Sequence, residues 1–251
     1  MKKHVIFHQD YYKVYTSDPA ADSGRMEAIV EDLHDYNLKS PKPAIDNDIL
    51  LVHTENHLLR VKNSRVYAIA LLAAGGAILA SDYACNHNEP MFALIRPPGH
   101  HASPEGFWGF CYFNNIAIAI KRLISENQIS KAVIIDFDLH FGDGTHNTFR
   151  NSQNVEYYHV EGRSRDQFVQ NVRRFLSDLS EVDIIGVSAG FDRHEKDWGG
   201  LLTTEDYKSI GKIIREYSED QGSCRRFGVL EGGYNHYVLG KNVRAFLDGF
   251  Y

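Results

Sequence analysis

Six short apolar runs punctuate the chain, at His4–Phe7, Met91–Ile95, Ala132–Ile135, Val155–Tyr158, Asp183–Val187 and Phe227–Leu230. Each reads as a strand covered on both faces. Stretches of helical period lie between them. Met26, Ile29, Val30 and Leu33 form one apolar stripe, and Phe168, Val169, Val172, Phe175, Leu176 and Leu179 another. Tyr207, Ile210, Ile214 and Tyr217 come next, with Thr203 or Thr204 as the N-cap, and Val238, Leu239, Val243, Phe246 and Leu247 close the series. Such alternation predicts an α/β protein whose parallel sheet lies between helices. No internal repeat, low-complexity tract or linker interrupts it, so residues 1–251 are expected to form one domain.

Composition narrows the partners. The net charge of -6 and the scattered cation pairs (Lys2-Lys3, Arg173-Arg174, Arg225-Arg226) give no basic stripe. Direct binding to nucleic acid or an anionic membrane is therefore not expected. Cys85, Cys111 and Cys224 are too few and too far apart for a disulfide framework, which suits a reducing compartment. The apolar stretch Val5–Phe7 is too short for a signal segment. The longest uncharged run, Ala68–Ala80, falls short of the ~20 residues that cross a bilayer, and its Gly75-Gly76 pair suits a closely packed helix. A soluble, cytoplasmic protein of unspecified oligomeric state is expected. Against this plain background stand 13 histidines.

The residues just beyond the strands carry the chemistry. Met91–Ile95 leads into Arg96-Pro97-Pro98-Gly99-His100-His101, and Ala132–Ile135 into Asp136-Phe137-Asp138-Leu139-His140. Asp183–Val187 leads into Ser188-Ala189-Gly190-Phe191-Asp192, and Phe227–Leu230 into Glu231-Gly232-Gly233-Tyr234. Ligands of open parallel sheets bind beyond the carboxyl ends of the strands, so these four ends are expected to converge. Asp136, Asp138 and His140 share one parity and point to one side if the backbone stays extended. A carboxylate and an imidazole two residues apart can chelate a divalent ion, with Asp192 as third ligand and positions left open for water and substrate.

Two carboxylates offset most of the charge of Zn²⁺, so catalysis by such a site needs a separate base and a carbonyl-polarising group. His100 and His101 are candidates for the base, Asp136 and Asp143 for orienting the two rings, and Tyr234 for the oxyanion donor. The plain alternatives are helix-capping acids, a satisfied histidine pair and a packed turn aromatic.

These residues carry a resemblance. Arg96–Ala102, Gly109-Phe110-Cys111-Tyr112-Phe113-Asn114-Asn115, Asp136–His140 with Gly142-Asp143-Gly144-Thr145, Ser188–Asp192 and Glu231-Gly232-Gly233-Tyr234-Asn235 resemble the histone deacetylase family over nearly the whole chain. Phe113-Asn114-Asn115 and Glu231 look like the class II deacetylases and acetylpolyamine amidohydrolases. The resemblance implies the three-layer α/β/α arginase/deacetylase fold, with a mostly parallel central sheet. It implies zinc, or in its place Fe²⁺, held by Asp138, His140 and Asp192. It makes His101 the main general base and acid beside His100, pairs Asp143 with His101 and Asp136 with His100, and has Tyr234 polarise the acetyl carbonyl. Gly109 would accept the substrate amide N–H, and Phe110 would wall an acyl-lysine channel. It also implies a K⁺ ion among Asp136 and the Asp138 and His140 carbonyls, although His159 stands where the family pattern has serine.

Three departures qualify the carry-over. The stretch from Tyr158 to Asp183 is short where the family carries a long loop that supplies the second channel wall, so a shallower, more open channel is expected. Phe141 replaces a second histidine. Between Asn56 and Ser81 there is no substrate-binding acid but Arg60, Lys62 and Arg65, which disfavours polyamines. The substrate expected is therefore an acetylated protein or peptide, with acetylpolyamines or small acetyl amides as alternatives. An arginase-like ureohydrolase would need ligands for a second metal where Gly142 and His194 stand. A non-catalytic binder of acyl-lysine or of a protein would show a lost ligand, base or tyrosine, and none is lost. His53-Thr54-Glu55-Asn56-His57 lacks the glutamate that a zincin places after its first histidine, and reads as a helix-surface pair. Arg25 suits either a channel behind the metal or a helix surface. Phe107 and Trp108 suit either the pocket mouth or the core.

Overall fold

The computed structural model describes residues 3–220, 222 and 225–251; Lys2 and Cys224 lie outside the described residues. Among these, seven strands form one sheet: β1 (His4–Ile6), β2 (Asn37–Lys39), β3 (Met91–Ala93), β4 (Ala132–Asp136), β5 (Val155–His159), β6 (Ile184–Ala189) and β7 (Arg226–Leu230). Their order is β2-β1-β3-β7-β6-β4-β5, and every neighbouring pair is parallel. Each position of β3, β4, β6 and β7 is buried, as apolar runs covered on both faces require. The apolar pattern predicts six of the seven strands. It misses β2, an edge strand with no apolar run whose Leu38 is exposed and which is held by pairing to β1.

Helices α1 (Arg25–Asp32), α2 (Asp46–Ile49), α3 (Glu55–Lys62), α4 (Tyr67–His87), α5 (Asn115–Ser125), α6 (Asp143–Phe149), α7 (Arg165–Asp178), α8 (Thr204–Asp220) and α9 (His236–Phe250) fill the crossovers. α1, α9, α8 and α7 pack side by side in one layer, and α4, α5 and α6 in the other, so the chain is a three-layer α/β/α sandwich. Local signals set the helix starts. Asn114 Oδ1 accepts from Ala117 N (3.1 Å) at α5, and Ser164 Oγ from Gln167 N (3.3 Å) at α7. At α8 the carboxylate of Asp206 takes both the backbone and the hydroxyl proton of Thr203, each at 2.7 Å.

α4 runs for 21 residues, beyond the uncharged run, and is long and apolar enough by length and composition to cross a bilayer. Here it is an interior element, packed on α5, β3 and β7 with 72% of its apolar window buried. Gly75 lets the loop at Lys42 and Ala44 run close against the helix, since a Cβ there would fall on the Lys42 carbonyl.

The sheet order places β3, β7, β6 and β4 next to one another. Their C-terminal ends are the four that carry the histidine pair, Tyr234, Asp192 and the Asp136–His140 run.

Candidate active site

β4 ends at Asp136, and the backbone bends through Asp138–His140 rather than staying extended. The three polar residues therefore separate. Asp136 turns to the histidine pair, accepting from His100 Nδ1 (3.0 Å), Tyr157 Oη (2.9 Å) and Asp138 N (3.1 Å). Asp138 and His140 turn to Asp192, so that His140 Nδ1 lies 3.2 Å from Asp138 Oδ1 and 3.1 Å from Asp192 Oδ2.

That trio fits a divalent cation. Its ligand atoms lie within 4.8 Å of one another, and both carboxylates are buried. One oxygen of each is fixed by a backbone amide, Asp138 Oδ2 by Gly232 N (2.8 Å) and Asp192 Oδ1 by Leu139 N (2.9 Å). A Cβ on Gly232 would stand 2.6 Å from Asp138 Oδ2 and 2.8 Å from Asp192 Oδ2, so glycine leaves the space around the acids open. The electrostatics agree. Burial, then the charge of Asp138, pushes Asp192 up to about 6, and hydrogen bonding to the carboxylates of Asp138 and Asp192 pushes His140 up to about 10. Two buried carboxylates facing one imidazole are a site that calls for positive charge.

His101 stands beside the trio, its ring centroid 6.0 Å from that of His140. Its Nδ1 donates to Asp143 Oδ1 (2.7 Å), at the start of α6, which leaves Nε2 as the acceptor. Burial and then His100 lower His101 to about 4, so its imidazole is neutral near pH 7. Burial opposes charge on His100 too, but Asp138, Asp136 and Glu231 outweigh it and raise this histidine well above its ordinary value. The two histidines thus hold different protonation states.

Tyr234 completes the group. Burial, then Asp138 and Asp192, raises its hydroxyl well above the usual range, so it stays a proton donor. Its backbone N–H and that of Asn235 both donate to Asp197 Oδ2 (2.8 Å each). From beneath, fully buried Arg25 donates to the carbonyls of Gly233 (2.8 Å) and Glu231 (2.7 Å) and lies 5.6 Å from the tyrosine ring. Arg25 is therefore the internal arginine, not a surface one. Glu231 itself accepts from Gly99 N (2.7 Å) and His100 N (3.2 Å), which ties the histidine loop to β7.

A cavity of about 110 Å³ gathers these groups: His100, His101, His140 and Tyr234 with Gly109, Phe110, Trp108 and Trp198. That is well below the ~300–1,000 Å³ of drug-sized pockets, and leaves room for a short acyl group. A larger hollow of about 460 Å³, by Lys131, Arg150 and Glu156, contains none of the four strand-end groups. The Phe110 ring meets Tyr234 edge-on at 6.0 Å from a left-handed backbone (φ 67°), a strained conformation for a non-glycine residue. Trp108 lines the mouth rather than the core. Its ring lies 3.9 Å from His101 and its indole N–H donates to Asp143 Oδ2 (2.9 Å).

Trp198 alters the expectation of an open channel. It stacks on Tyr234 at 4.0 Å and supplies the second aromatic wall from the segment after Asp192. The sequence pattern does not single it out, although it is one of only two tryptophans and lies close after a ligand.

His53 and His57 correct another expectation, for they are buried and not a helix-surface pair. His53 precedes α3, stacks on His57 at 4.3 Å, donates from Nδ1 to Ser103 O (3.0 Å) and accepts at Nε2 from Asn114 N (2.9 Å). His57 Nε2 donates to Tyr112 O (2.7 Å). Together they fasten the loop that carries Trp108, Gly109 and Phe110.

Most of the implied potassium cage is taken by protein groups. Both carboxylate oxygens of Asp136 are hydrogen-bonded as above and its carbonyl accepts from Val160 N (2.8 Å). The Asp138 carbonyl accepts from Arg193 Nε (3.1 Å). The residues present do not fit a potassium ion there.

A family profile described as "Histone deacetylase domain" matches residues 60–164 and 158–250. A "Probable deacetylase" of Methanothermobacter thermautotrophicus is 31% identical, over 98% of this chain and 90% of its own length. A "Histone deacetylase-like amidohydrolase" of Pseudomonas aeruginosa is 27% identical over 79% of this chain and 66% of its own. Among solved structures, the HDA15 HD domain superposes with a TM-score of 0.85 over 100% of this chain and 90% of that one, at 20% identity, which is a likeness of fold.

Proposed function

Because the chain belongs to the histone deacetylase family, we propose that it is a zinc-dependent amide hydrolase that frees acetate from an acetylated amine, foremost acetyl-lysine in a protein or peptide. The observation that carries this reading is one small cavity holding three groups: the Asp138–His140–Asp192 cluster, the His101–Asp143 pair and the Tyr234 hydroxyl. Zinc held by Asp138, His140 and Asp192 would supply a Lewis acid for the carbonyl and make water more acidic.

The chain's own groups do the rest. His101 Nε2 takes a proton from the attacking water while Asp143 holds Nδ1–H and stabilises the imidazolium. The Tyr234 hydroxyl donates to the acyl oxygen as negative charge develops there. His101 then returns the proton to the departing nitrogen, so the C–N bond breaks to give acetate and a free amine. Gly109 offers its carbonyl to the amide N–H, and Phe110, Trp108 and Trp198 enclose the aliphatic stem and keep bulk water out.

The small cavity favours acetyl over longer acyl groups. Arg60 donates to the Glu105 carbonyl, on the loop that bears Trp108, and this positive edge disfavours acetylpolyamines. The free thiols of Cys85 and Cys111 suit a reducing, cytoplasmic setting. The test is a side-by-side assay of acetyl-lysine peptides, acetylspermidine and small acetyl amides on zinc-loaded protein. Fastest turnover of the peptide supports the reading, and preference for acetylspermidine reassigns the substrate. Zinc binding without turnover of any of them overturns it in favour of a non-catalytic binder.

A further inference from the structure

Directly after the ligand Asp192, the side chain of Arg193 turns inward and is nearly fully buried. Its guanidinium meets four acceptors behind the metal cluster: Nε reaches the Asp138 carbonyl at 3.1 Å, and one terminal nitrogen reaches Leu139 O (3.2 Å), Val160 O (3.3 Å) and His159 Nε2 (3.1 Å). The Phe168 ring covers it, 4.9 Å from the guanidinium carbon. None of these four acceptors is a carboxylate. A buried cation is tolerable only if its charge is met by dipoles or counter-ions, and here carbonyl oxygens, an imidazole and a ring face meet it.

We propose that Arg193 is a built-in monovalent cation, which fills the cage behind the metal ligands and holds their loop without potassium. The guanidinium bridges the carbonyl of one ligand, Asp138, and that of Leu139 next to another, His140, while the backbone of Arg193 continues from the third. Its own carbonyl accepts from Leu201 N (3.0 Å) and Leu202 N (2.8 Å), which anchors the segment bearing Trp198 as well. His159 completes the exchange. Where a serine would offer an oxygen to an ion, this imidazole offers a nitrogen lone pair to an N–H donor, and Phe141 covers it edge-on at 5.5 Å. An arginine is directional where an ion is not, because its donors lie in one plane. Arg193 is a positioning residue in this reading, which rests on Asp138, His140 and Asp192 being the metal ligands.

The experiment measures thermal unfolding and zinc affinity, the latter by chelator competition, in choline, sodium and potassium chloride at fixed ionic strength. The wild-type protein is expected to show no potassium-selective change in either. Arg193→Ala is expected to bind zinc about 10–100-fold more weakly, the usual cost of losing an outer-shell partner, and to recover part of that affinity with millimolar guanidinium or potassium. Arg193→Lys keeps the charge and is expected to fall between the two. Saturable, potassium-selective stabilisation of the wild type overturns the inference, as does Arg193→Ala with unchanged zinc affinity. If Arg193→Ala does not fold, the wild-type ion series and Arg193→Lys still decide. Failure of the wild type to bind zinc at all refutes the metal-centre reading instead, a distinguishable result.

Discussion

Tyr234 reaches the site on a turn held from two sides, by Arg25 beneath and Asp197 beside it, so its hydroxyl is positioned before substrate arrives. Preorganised donors of this kind act mainly in the transition state. Tyr234→Phe should therefore lower kcat by roughly 10²–10³-fold with little change in KM, and zinc content should stay at the wild-type level, read by metal analysis of the purified protein. Asp192→Ala should show the opposite division, with zinc lost in the same analysis. At this scale the motifs made much of the site legible, since Asp136, Asp138, His140, Asp192 and Tyr234 lie at or just beyond the ends of strands. Trp198, Arg193 and Asp197 were not legible, because each acts through a contact that crosses from one strand end to another. Nothing in a one-dimensional pattern records that an arginine after a ligand turns back towards carbonyls after β4 and after β5.

At the level of elements, the loop from Ser103 to Asn114 is fastened at both ends by a histidine of the segment before α3. His53 bridges Ser103 O and Asn114 N, the two ends of the loop, in one tautomer. Burial lowers His53 to about 3, against 6.5 when free, so the folded protein carries it neutral. The unfolded chain takes up a proton on this residue as pH falls below 6.5 and the native state does not. The contribution of His53 is thus fully present above pH 6.5 and is lost progressively towards pH 3. His53→Asn should lower Tm at neutral pH, since it leaves buried backbone groups unpaired at about 1–3 kcal/mol each. It should also flatten the acid side of the Tm–pH curve relative to wild type. The sequence shows two histidines four apart and cannot show which way they face, for a stacked buried pair and a surface pair have the same spacing. β2 escaped notice for a related reason, as it carries no apolar run and depends on β1 for its bonds.

Over the whole molecule, the arrangement that makes the site possible is the adjacency of β3, β7, β6 and β4. Residues more than a hundred positions apart meet because the crossovers bring their strands together, and α4 braces this part of the sheet from one face. At Gly75 that brace runs against the backbone at Lys42 and Ala44, where a Cβ would clash. Gly75→Val should destabilise the fold by about 1–3 kcal/mol or more, the usual cost of overpacking, seen as a lower denaturant midpoint. The alternation of apolar runs and amphipathic stripes made this layered plan readable, whereas the closeness of the backbones at Gly75 is a tertiary contact that composition only hints at.

The chain has two tryptophans, and both line the same small cavity, Trp108 against His101 and Trp198 against Tyr234. Its indole emission is therefore a native optical reporter of this candidate pocket, with no contribution from tryptophan elsewhere in the chain. Adding zinc or acetate should change emission intensity in proportion to occupancy, and the change should vanish for zinc in Asp192→Ala. Binding constants can then be followed on unlabelled protein, in real time, by light alone.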